Sequence, residues 1–363
     1  MIIVSRAPVR ISLGGSGTDL PPYYERHGGL VVSTSINYYV YTILSPVKDA
    51  PLQIISADHR AMVQRPTCED LVWDGDLSLP KAIIYHFNVQ DGVTVFLASQ
   101  IPPGTGLGSS GSVAVSMIKA LAFWCGLDMS PAEVAELACY IEIGKMGMPV
   151  GKQDQYAAAF GGLNCITFTK NDVSVKPLNL SLSTRQSLQR RLMLFFTGIS
   201  HTSSTILRHQ TSASQQGDPI VIKRLHAIKE LGLAVKAALE RGDLQEFGEL
   251  LHQSWLNKRE LSDKVTNSFI DKWYTTALEH GAVGGQITGA GGGGFLLFYC
   301  PEERQRDVTT ALENLGLQRW DFAFDTEGVQ IMQAVPWQRT PYARYVGVEL
   351  GESVHVGEPV PGG

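Results

Sequence analysis

The chain has 363 residues, of which 44% are hydrophobic and 18% charged, and its formal net charge is −5. This length accommodates one large domain or two of typical size, with enough chain to bury a substantial core. The acidic balance excludes a general positive field of the kind that attracts DNA, RNA or anionic lipid. An anionic substrate must therefore be held by local groups.

The five cysteines are dispersed, without a CxxC pair or the spacing of a metal site. Such a set is typical of reduced thiols in a cytosolic protein. The first residues lack the basic and apolar regions of a signal peptide, and no apolar run approaches the length of a membrane span. We therefore expect a cytoplasmic protein without a nucleic-acid or membrane partner.

The first hundred residues are predicted to form mainly β-strands. Residues with high strand propensity occupy Ile2–Leu13, Val31–Leu44, Leu52–Ser56 and Val93–Gln100. Proline pairs at Pro21-Pro22 and Pro102-Pro103 mark breaks after strand signals.

Helical patterns begin after Gly104. Ser112–Cys125 is apolar with helical spacing. A second helix is predicted from Ser130-Pro131-Ala132-Glu133, which combines a serine cap, a proline at the first helical position and a glutamate at the third. Its apolar stripe consists of Val134, Leu137, Ala138 and Ile141.

The composition changes again near Ser181. The patterns predict, in order, a strand, three long helices, a strand, a helix and a closing pair of strands: Leu192–Thr197, Ile220–Glu240, Leu244–Leu261, Ser268–His280, Leu296–Tyr299, Glu302–Asn314, and Trp320–Phe324 with Val329–Val335. A strand-rich part followed by a mixed part predicts two lobes with a cleft between them, residues 1–180 and 181–335, followed by a tail at 336–363.

A glycine-rich segment connects the predicted strands of the N-terminal half to its predicted helices. It reads Pro102-Pro103-Gly104-Thr105-Gly106-Leu107-Gly108-Ser109-Ser110-Gly111-Ser112. A glycine-rich loop that leads into a helix start is an anion site, although such a segment could also be a flexible turn. It is not a Walker A motif, because no lysine follows the last glycine at the required place. Asp128 is poorly placed for the acidic residue of a dinucleotide fingerprint.

This segment resembles the nucleotide motif of the galactokinase, homoserine kinase, mevalonate kinase and phosphomevalonate kinase (GHMP) superfamily. Residues 6–19 (RAPVRISLGGSGTD) are similar to its first motif, and residues 288–295 (TGAGGGGF) to its third. Together with the GKQDQ segment at 151–155, these motifs are most similar to bacterial D-glycero-D-manno-heptose 7-phosphate kinases. One departure is Gly111, where the pattern usually has alanine or serine.

The resemblance implies an α+β fold, with an N-terminal lobe like ribosomal protein S5 domain 2 and a ferredoxin-like C-terminal lobe. It also implies ATP and Mg²⁺ as cofactors. The expected nucleotide-binding residues are Pro103, Gly104, Thr105, Gly106, Leu107, Gly108, Ser109 and Ser110. Those expected to bind the sugar are Gly17, Thr18, Asp19, Gly291 and Gly292.

Asp154 and Arg10 are the expected catalytic residues. From its spacing alone, Asp154 could be an ordinary loop carboxylate, but the resemblance makes it the group that accepts the proton of the sugar hydroxyl. Arg10 alternates with Val9 and Ile11 along a predicted strand, so from the pattern alone it could be a surface residue. The resemblance places it beside Asp154, where it stabilises the migrating phosphoryl group.

Glu142 is expected to bind magnesium together with Ser110. Counted at 100° per residue, it falls about 80° from the apolar stripe that starts at Val134, at the edge of the buried face, where a carboxylate is usually solvated. The resemblance gives it the role of a metal ligand. The third glycine motif, Gly291–Gly294, could be a tight turn but is expected to pack beneath the nucleotide loop.

The expected reaction is transfer of the γ-phosphate of ATP to the anomeric hydroxyl of a heptose 7-phosphate. Two alternatives remain open, a kinase of an unphosphorylated sugar such as fucose, mannose or galactose, and a catalytically silent sugar or nucleotide sensor. His201 and Lys152 are the candidates to hold an acceptor phosphate. A homodimer is possible.

Overall fold

The computed structural model describes residues 2–89, 92–199 and 203–334, and within these ranges the strands form two sheets. The strands are β1 Ile3–Gly14, β2 Gly29–Pro46, β3 Leu52–Ser56, β4 Ala61–Arg65, β5 Val93–Ser99, β6 Leu163–Phe168, β7 Val173–Pro177, β8 Leu192–Phe196, β9 Gly284–Ile287, β10 Phe295–Tyr299, β11 Gln318–Trp320 and β12 Gln330–Ala334.

Helices cover these sheets and connect their strands. They are α1 Pro21–His27, α2 Ser78–His86, α3 Ser109–Trp124, α4 Pro131–Cys139, α5 Gln153–Phe160, α6 Leu182–Arg191, α7 Ser203–Gln216, α8 Pro219–Arg241, α9 Leu244–Lys258, α10 Ser268–Glu279 and α11 Gln305–Glu313. Short 3₁₀ turns occupy Cys68–Asp70 and Glu302–Arg304, and a π-helical segment, Tyr140–Lys145, extends α4. No helix of the described ranges combines the length and the apolar character needed to cross a membrane.

The first sheet has the order β12-β1-β2-β5-β3-β4, and β6 and β7 extend it from the other part of β2. Its neighbours are antiparallel except for β3 and β5. One face packs on α2–α5 in the largest core cluster. The opposite face of β1, which carries Val9, Ile11 and Leu13, packs against residues of α8, α9 and the second sheet. Ile3 and Ala7 belong to the first cluster, and a register shift between Pro8 and Val9 separates them from the residues of the second, so β1 contributes to both cores.

The second sheet has the order β11-β8-β10-β9 and is antiparallel throughout. The helices α7–α10 separate β8 from β9, and α11 separates β10 from β11. This βαββαβ connectivity is that of a ferredoxin-like sandwich with added helices, as the family resemblance implied. The expected α+β fold with two different lobes is confirmed.

The predicted closing pair of strands is wrong. β11 pairs with β8 in the second sheet, whereas β12 pairs with β1 in the first. Strand propensity identified β12, but the predicted strand Trp320–Phe324 overlaps β11 only at Trp320, and propensity carried no information about the partners of either strand. Because β12 pairs with β1, the last described residues of the chain belong to the N-terminal lobe.

Five helices were not predicted, namely α1, α2, α5, α6 and α7. In α6 only Leu188 is buried, so this helix lacks the apolar stripe that sequence patterns detect. In α1 the pair Pro21-Pro22 occupies the first turn and does not act as a simple break. Proline is tolerated there because the first amides of a helix have no intrahelical acceptor.

Candidate active site

The glycine-rich loop lies between β5 and α3, with its backbone fastened to β1. The amide of Arg10 donates to the carbonyl of Leu107 at 2.9 Å, and the hydroxyl of Ser112 donates to the carbonyl of Pro8 at 2.8 Å. Gly108, the residue before α3, has a φ of 81° that favours glycine. The free amides at the start of α3 therefore open into the cleft, where they can bind an anion.

The third glycine motif packs directly against this loop. A Cβ on Gly289 would lie 2.5 Å from Cα of Gly106, and a Cβ on Gly106 would lie 2.5 Å from the carbonyl oxygen of Thr288. The hydroxyl of Thr288 also donates to the carbonyl of Thr105 at 3.2 Å. The contact between the two glycine motifs leaves no room for side chains, which agrees with the predicted close packing of the third motif beneath the nucleotide loop.

Arg10 and Asp154 form a partly buried ion pair beside the loop. Both Nε and Nη2 of Arg10 bind Oδ1 of Asp154, at 2.9 and 2.7 Å, and Nη1 donates to the carbonyl of Gly106 at 2.6 Å. The Arg10 side chain is 8% exposed and that of Asp154 is 30% exposed. Within the described part of the chain, no hydrogen-bond donor occupies the second oxygen of Asp154, Oδ2. This oxygen is therefore available to a substrate hydroxyl.

Gly111 explains how Asp154 comes so close to the loop. A Cβ on Gly111 would lie 2.7 Å from Cβ of Asp154 and 3.1 Å from its carbonyl carbon. The start of α5 therefore crosses the start of α3 at this glycine. A glycine in a helix costs about 1 kcal/mol relative to alanine, and here it allows the close approach of the two helices.

Asp19 connects the first motif to the helix that carries Asp154. Its Oδ1 accepts from the amide of Gly17 at 3.2 Å, and its Oδ2 accepts from the amide of Gln153, the first residue of α5, at 3.1 Å. Burial raises the pKa of Asp19, and the nearby charge of Asp154 adds to this effect. The carboxylate lines the cleft and keeps lone pairs for a ligand.

Glu142 lies in the π-helical segment and is 1% exposed. Its Oε1 accepts from the hydroxyl of Ser110 at 2.9 Å and its Oε2 from Nε2 of Gln155 at 2.6 Å. Burial raises the pKa of Glu142 to about 7, although these two hydrogen bonds oppose the shift. The count at 100° per residue placed Glu142 at the edge of the buried face because it assumed an α-helix, whereas a π-helical turn rotates less per residue.

The surroundings of Glu142 fit a divalent cation that arrives with a ligand. In the described ranges no group of three or more His, Cys, Asp or Glu residues is arranged to hold a metal. A buried carboxylate that is costly to ionise gains most from a nearby cation. Magnesium typically uses one or two protein oxygens and completes its shell with phosphate and water. Glu142 and Ser110 could supply those protein oxygens.

Lys258 is a cleft residue that the sequence analysis missed. It is the last residue of α9, is 5% exposed, and donates from Nζ to the carbonyl of Ile287 at 2.8 Å. Burial and the charge of Arg10 lower the pKa of Lys258 to about 7, and Asp19 opposes them. Nothing in the helical pattern of α9 distinguishes this lysine from a surface residue, so only the tertiary structure identifies it.

Two glutamines of the cleft were also not predicted as site residues from the sequence. The side-chain nitrogens of Gln153 and Gln210 are buried, and neither has a hydrogen-bond partner in the parts of the chain that the structure describes. Gln210 lies in α7, a helix that was not predicted. A buried donor without an acceptor is costly, so both groups favour a ligand with acceptor oxygens in the cleft.

Nine of the residues expected from the sequence line one cleft: Arg10, Gly17, Asp19, Gly104, Gly106, Gly108, Ser109, Ser110 and Asp154. Other expected residues lie beneath the residues that line the cleft. Thr105 and Leu107 are fully buried, and Glu142 contacts the lining through Ser110. Pro103, Gly291 and Gly292 do not line it; a Cβ on Gly291 would meet the backbone of Val265.

Thr18 does not present its side chain to the cleft, which corrects its assignment to sugar binding. Its hydroxyl donates to the carbonyls of Gly15 and Leu30 and accepts from the amide of Leu30. The side chain is 0% exposed. Its hydrogen bonds hold the loop that positions Asp19, so its effect on a substrate is indirect.

Of the two basic candidates for an acceptor phosphate, Lys152 is already paired. Its Nζ binds both oxygens of Glu136, at 2.9 and 3.0 Å, and Tyr156 donates to the same carboxylate. Lys152 does not line the cleft. The other candidate, His201, lies outside the described residues.

Two family models match the chain. Residues 78–162 match the GHMP kinases N-terminal domain and residues 235–316 match the GHMP kinases C-terminal model. A relative from Campylobacter jejuni, named D-glycero-alpha-D-manno-heptose 7-phosphate kinase, is 33% identical over 335 residues, which cover 90% of this chain and 98% of the relative.

Solved structures agree with the family models. A D-glycero-D-manno-heptose 1-phosphate kinase from Bacteroides thetaiotaomicron is 30% identical, with a TM-score of 0.75 over 92% of this chain and 100% of that chain. Lactococcus lactis galactokinase, solved with galactose, has a TM-score of 0.73 at 20% identity, over 91% of this chain and 95% of that chain. The galactokinase likeness concerns the fold alone.

Proposed function

The chain belongs to the GHMP kinase family and is an ATP-dependent sugar kinase, and we propose that its acceptor is the anomeric hydroxyl of D-glycero-D-manno-heptose 7-phosphate. The relatives named above support a phosphorylated heptose, although their names differ in the position of the phosphate. The observation that carries the proposal is the ion pair of Arg10 and Asp154 beside the glycine-rich loop. This pair puts a carboxylate oxygen next to the anion site.

In this proposal Asp154 binds and deprotonates the anomeric hydroxyl. Its Oδ2 accepts the proton as the oxygen attacks the γ-phosphorus, and the bond from this phosphorus to the β–γ bridging oxygen breaks to release ADP. Arg10 holds Oδ1 and fixes the orientation of the carboxylate. Phosphoryl transfer has a loose transition state, so positioning of the acceptor contributes as much as basicity.

The triphosphate would lie along the loop 104–108 and the first turn of α3. Gly104, Gly106, Gly108 and the first turn of α3 line the cleft, where the unpaired amides of the helix start can bind phosphate and the Ser109 hydroxyl can add a donor. Glu142 and Ser110 would hold a magnesium ion that neutralises charge on the phosphates. Asp19, fixed by two backbone amides, would accept hydrogen bonds from sugar hydroxyls.

A screen of ATP consumption over sugars and sugar phosphates tests this proposal. The panel should include the heptose 7-phosphate, the unphosphorylated heptose, fucose, mannose and galactose. We expect the highest kcat/KM for the heptose 7-phosphate. An unphosphorylated sugar used with equal or greater efficiency would contradict the proposed acceptor, and absence of turnover with every acceptor would favour a catalytically silent sensor.

A further inference from the structure

One wall of the cleft is built by the C-terminal lobe and carries Lys258 and Gln210. The facing wall belongs to the N-terminal lobe and carries Gly17, Asp19 and Gln153. The two walls are in contact, because a Cβ on Gly17 would lie 2.7 Å from Nε2 of Gln210. Groups from both lobes can therefore reach one small ligand.

Lys258 contributes an uncommitted positive charge to this cleft. Among the described lining residues the cations are Arg10 and Lys258, and Arg10 is paired with Asp154. Lys258 has no carboxylate within ion-pair distance in the described ranges, and its hydrogen bond to Ile287 uses one of three ammonium hydrogens. A buried charge without a counterion is costly, and an anionic ligand would remove that cost.

The neighbouring amides point to the same class of ligand. Nε2 of Gln210 and Nε2 of Gln153 are buried donors without an acceptor, and the two residues are 6% and 2% exposed. A phosphate group offers only acceptor oxygens, so it can satisfy an ammonium and an amide at once. A carboxylate or hydroxyl of the protein does not fill this role in the described part of the chain.

We propose that Lys258 and the side-chain amide of Gln210 form the subsite that binds the acceptor's own phosphate. This inference rests on the proposed function, because it assumes a phosphorylated sugar as the acceptor. In this proposal Lys258, at the end of α9, discriminates between phosphorylated and free sugars. Lys152, the basic residue that the sequence offered, is held by Glu136.

The subsite would respond to its ligand by taking up a proton. The charged groups that act on Lys258 are Arg10 on β1, which disfavours its ammonium form, and Asp19 before α1, which favours it. With its pKa lowered to about 7, Lys258 is partly neutral in the free protein near neutral pH. A bound phosphate dianion favours the charged form, so binding should be accompanied by proton uptake.

The kinetic test compares the wild type with Lys258→Met and Lys258→Arg on the heptose 7-phosphate and on the same heptose without phosphate. Methionine keeps the length of the side chain and removes its charge. For Lys258→Met we expect kcat/KM for the phosphorylated acceptor to fall between roughly tenfold and a hundredfold, the usual effect of losing a charged hydrogen bond. The efficiency with the free heptose should fall less than the efficiency with the phosphorylated acceptor, and Lys258→Arg should restore part of the loss.

The binding test measures the enthalpy of heptose 7-phosphate binding by calorimetry at pH 7.5 in buffers of different ionisation enthalpy. We expect the wild type to take up protons and Lys258→Met to take up none. Lys272→Met, which removes an exposed lysine of α10, is the matched control and should behave as the wild type. Gln210→Leu should weaken binding without abolishing proton uptake.

The outcomes separate this inference from the proposed function. If the wild type prefers the phosphorylated heptose but Lys258→Met loses efficiency equally on both sugars, the subsite assignment is overturned and the proposed function remains. The same conclusion follows if Lys258→Met binds the heptose 7-phosphate as tightly as the wild type does. If the wild type itself prefers the free sugar, the proposed acceptor fails and the phosphate subsite fails with it.

Discussion

The guanidinium of Arg10 holds one oxygen of Asp154 through two nitrogens, at 2.9 and 2.7 Å, and the other oxygen has no donor among the described residues. The same guanidinium binds the carbonyl of Gly106 in the glycine-rich loop. One side chain therefore fixes both the carboxylate and the loop. In the proposed mechanism the proton acceptor and the nucleotide site share this support.

Replacement of Asp154 by asparagine should remove the proton acceptor and preserve the shape of the site. We expect kcat to fall by roughly a hundredfold or more, the scale of general-base assistance, with little change in nucleotide affinity. Steady-state kinetics and a nucleotide titration measure the two effects. The exposed Asp76→Asn serves as a control and should retain wild-type turnover. Near-normal turnover of the Asp154 variant would remove this residue from the mechanism.

Replacement of Gly111 by alanine tests the close approach of α3 and α5. Helix propensity alone predicts that alanine stabilises the protein by about 1 kcal/mol. The contact of 2.7 Å with Asp154 predicts the opposite, because α5 must shift to accommodate a methyl group. We expect a lower free energy of unfolding together with reduced kcat, measured by denaturant titration and steady-state kinetics. A stabilised variant with normal turnover would show that the crossing is looser than described.

The variants Glu142→Gln and Ser110→Ala test the proposed magnesium ligands. Each removes a charge or an oxygen that the ion would use, so each should raise the magnesium concentration needed for half-maximal activity. The measurement is a magnesium titration at constant free ATP. Ser109→Ala is a useful comparison, because Ser109 makes no hydrogen bond to Glu142 in the described structure, and its magnesium dependence should be unchanged. If neither Glu142→Gln nor Ser110→Ala shifts the titration, the ion is held elsewhere.

His86 should make the stability of the protein depend on acid pH. It is 4% exposed, and its Nδ1 lies 2.8 Å from Nζ of Lys145, so this nitrogen accepts a hydrogen bond and the ring is neutral. Burial, and then the charge of Lys145, lower the pKa of His86 from 6.5 to about 4. The unfolded chain therefore binds more protons between these values, and the free energy of unfolding should fall by about 3 kcal/mol as the pH drops from 6.5 to 4.

The measurement for His86 is denaturant unfolding of the wild type and His86→Gln across this pH range. Glutamine can accept the hydrogen bond from Lys145 and does not titrate. The difference in unfolding free energy between the two proteins should change with pH in the stated direction, whereas a constant difference would contradict the buried neutral imidazole.

The sequence predicted the parts of the site that depend on local pattern. Residue pattern alone predicted the glycine-rich loop and the capped helix from Ser130. The roles expected for Arg10, Asp19 and Asp154 came from the family resemblance, and all three residues line the cleft. Backbone geometry limits a phosphate-binding loop to few sequences, so such motifs can be recognised in the sequence alone. The ferredoxin-like lobe was expected from the family resemblance, because the predicted order of strands and helices lacked β9.

The sequence could not predict features that depend on tertiary contacts. The pairing of β12 with β1, the π-helical turn that buries Glu142, and the placement of Lys258 and Gln210 in the cleft all arise from segments far apart in the chain. In the sequence, Lys258 is indistinguishable from a lysine on a helix surface. It is buried in the cleft because α9 packs against β9. The roles of Lys258 and Gln210 depend on their burial and their neighbours, which only the folded structure shows.

The central claim is that the chain phosphorylates the anomeric hydroxyl of a sugar that already carries a phosphate. Phosphorus NMR of the product formed from ATP and D-glycero-D-manno-heptose 7-phosphate tests it most directly. We predict one new phosphate signal, coupled to the anomeric proton, formed in equal amount to ADP, with the original phosphate signal retained. ADP formed with inorganic phosphate in place of a bisphosphate, or a new phosphate on another carbon, would contradict the account.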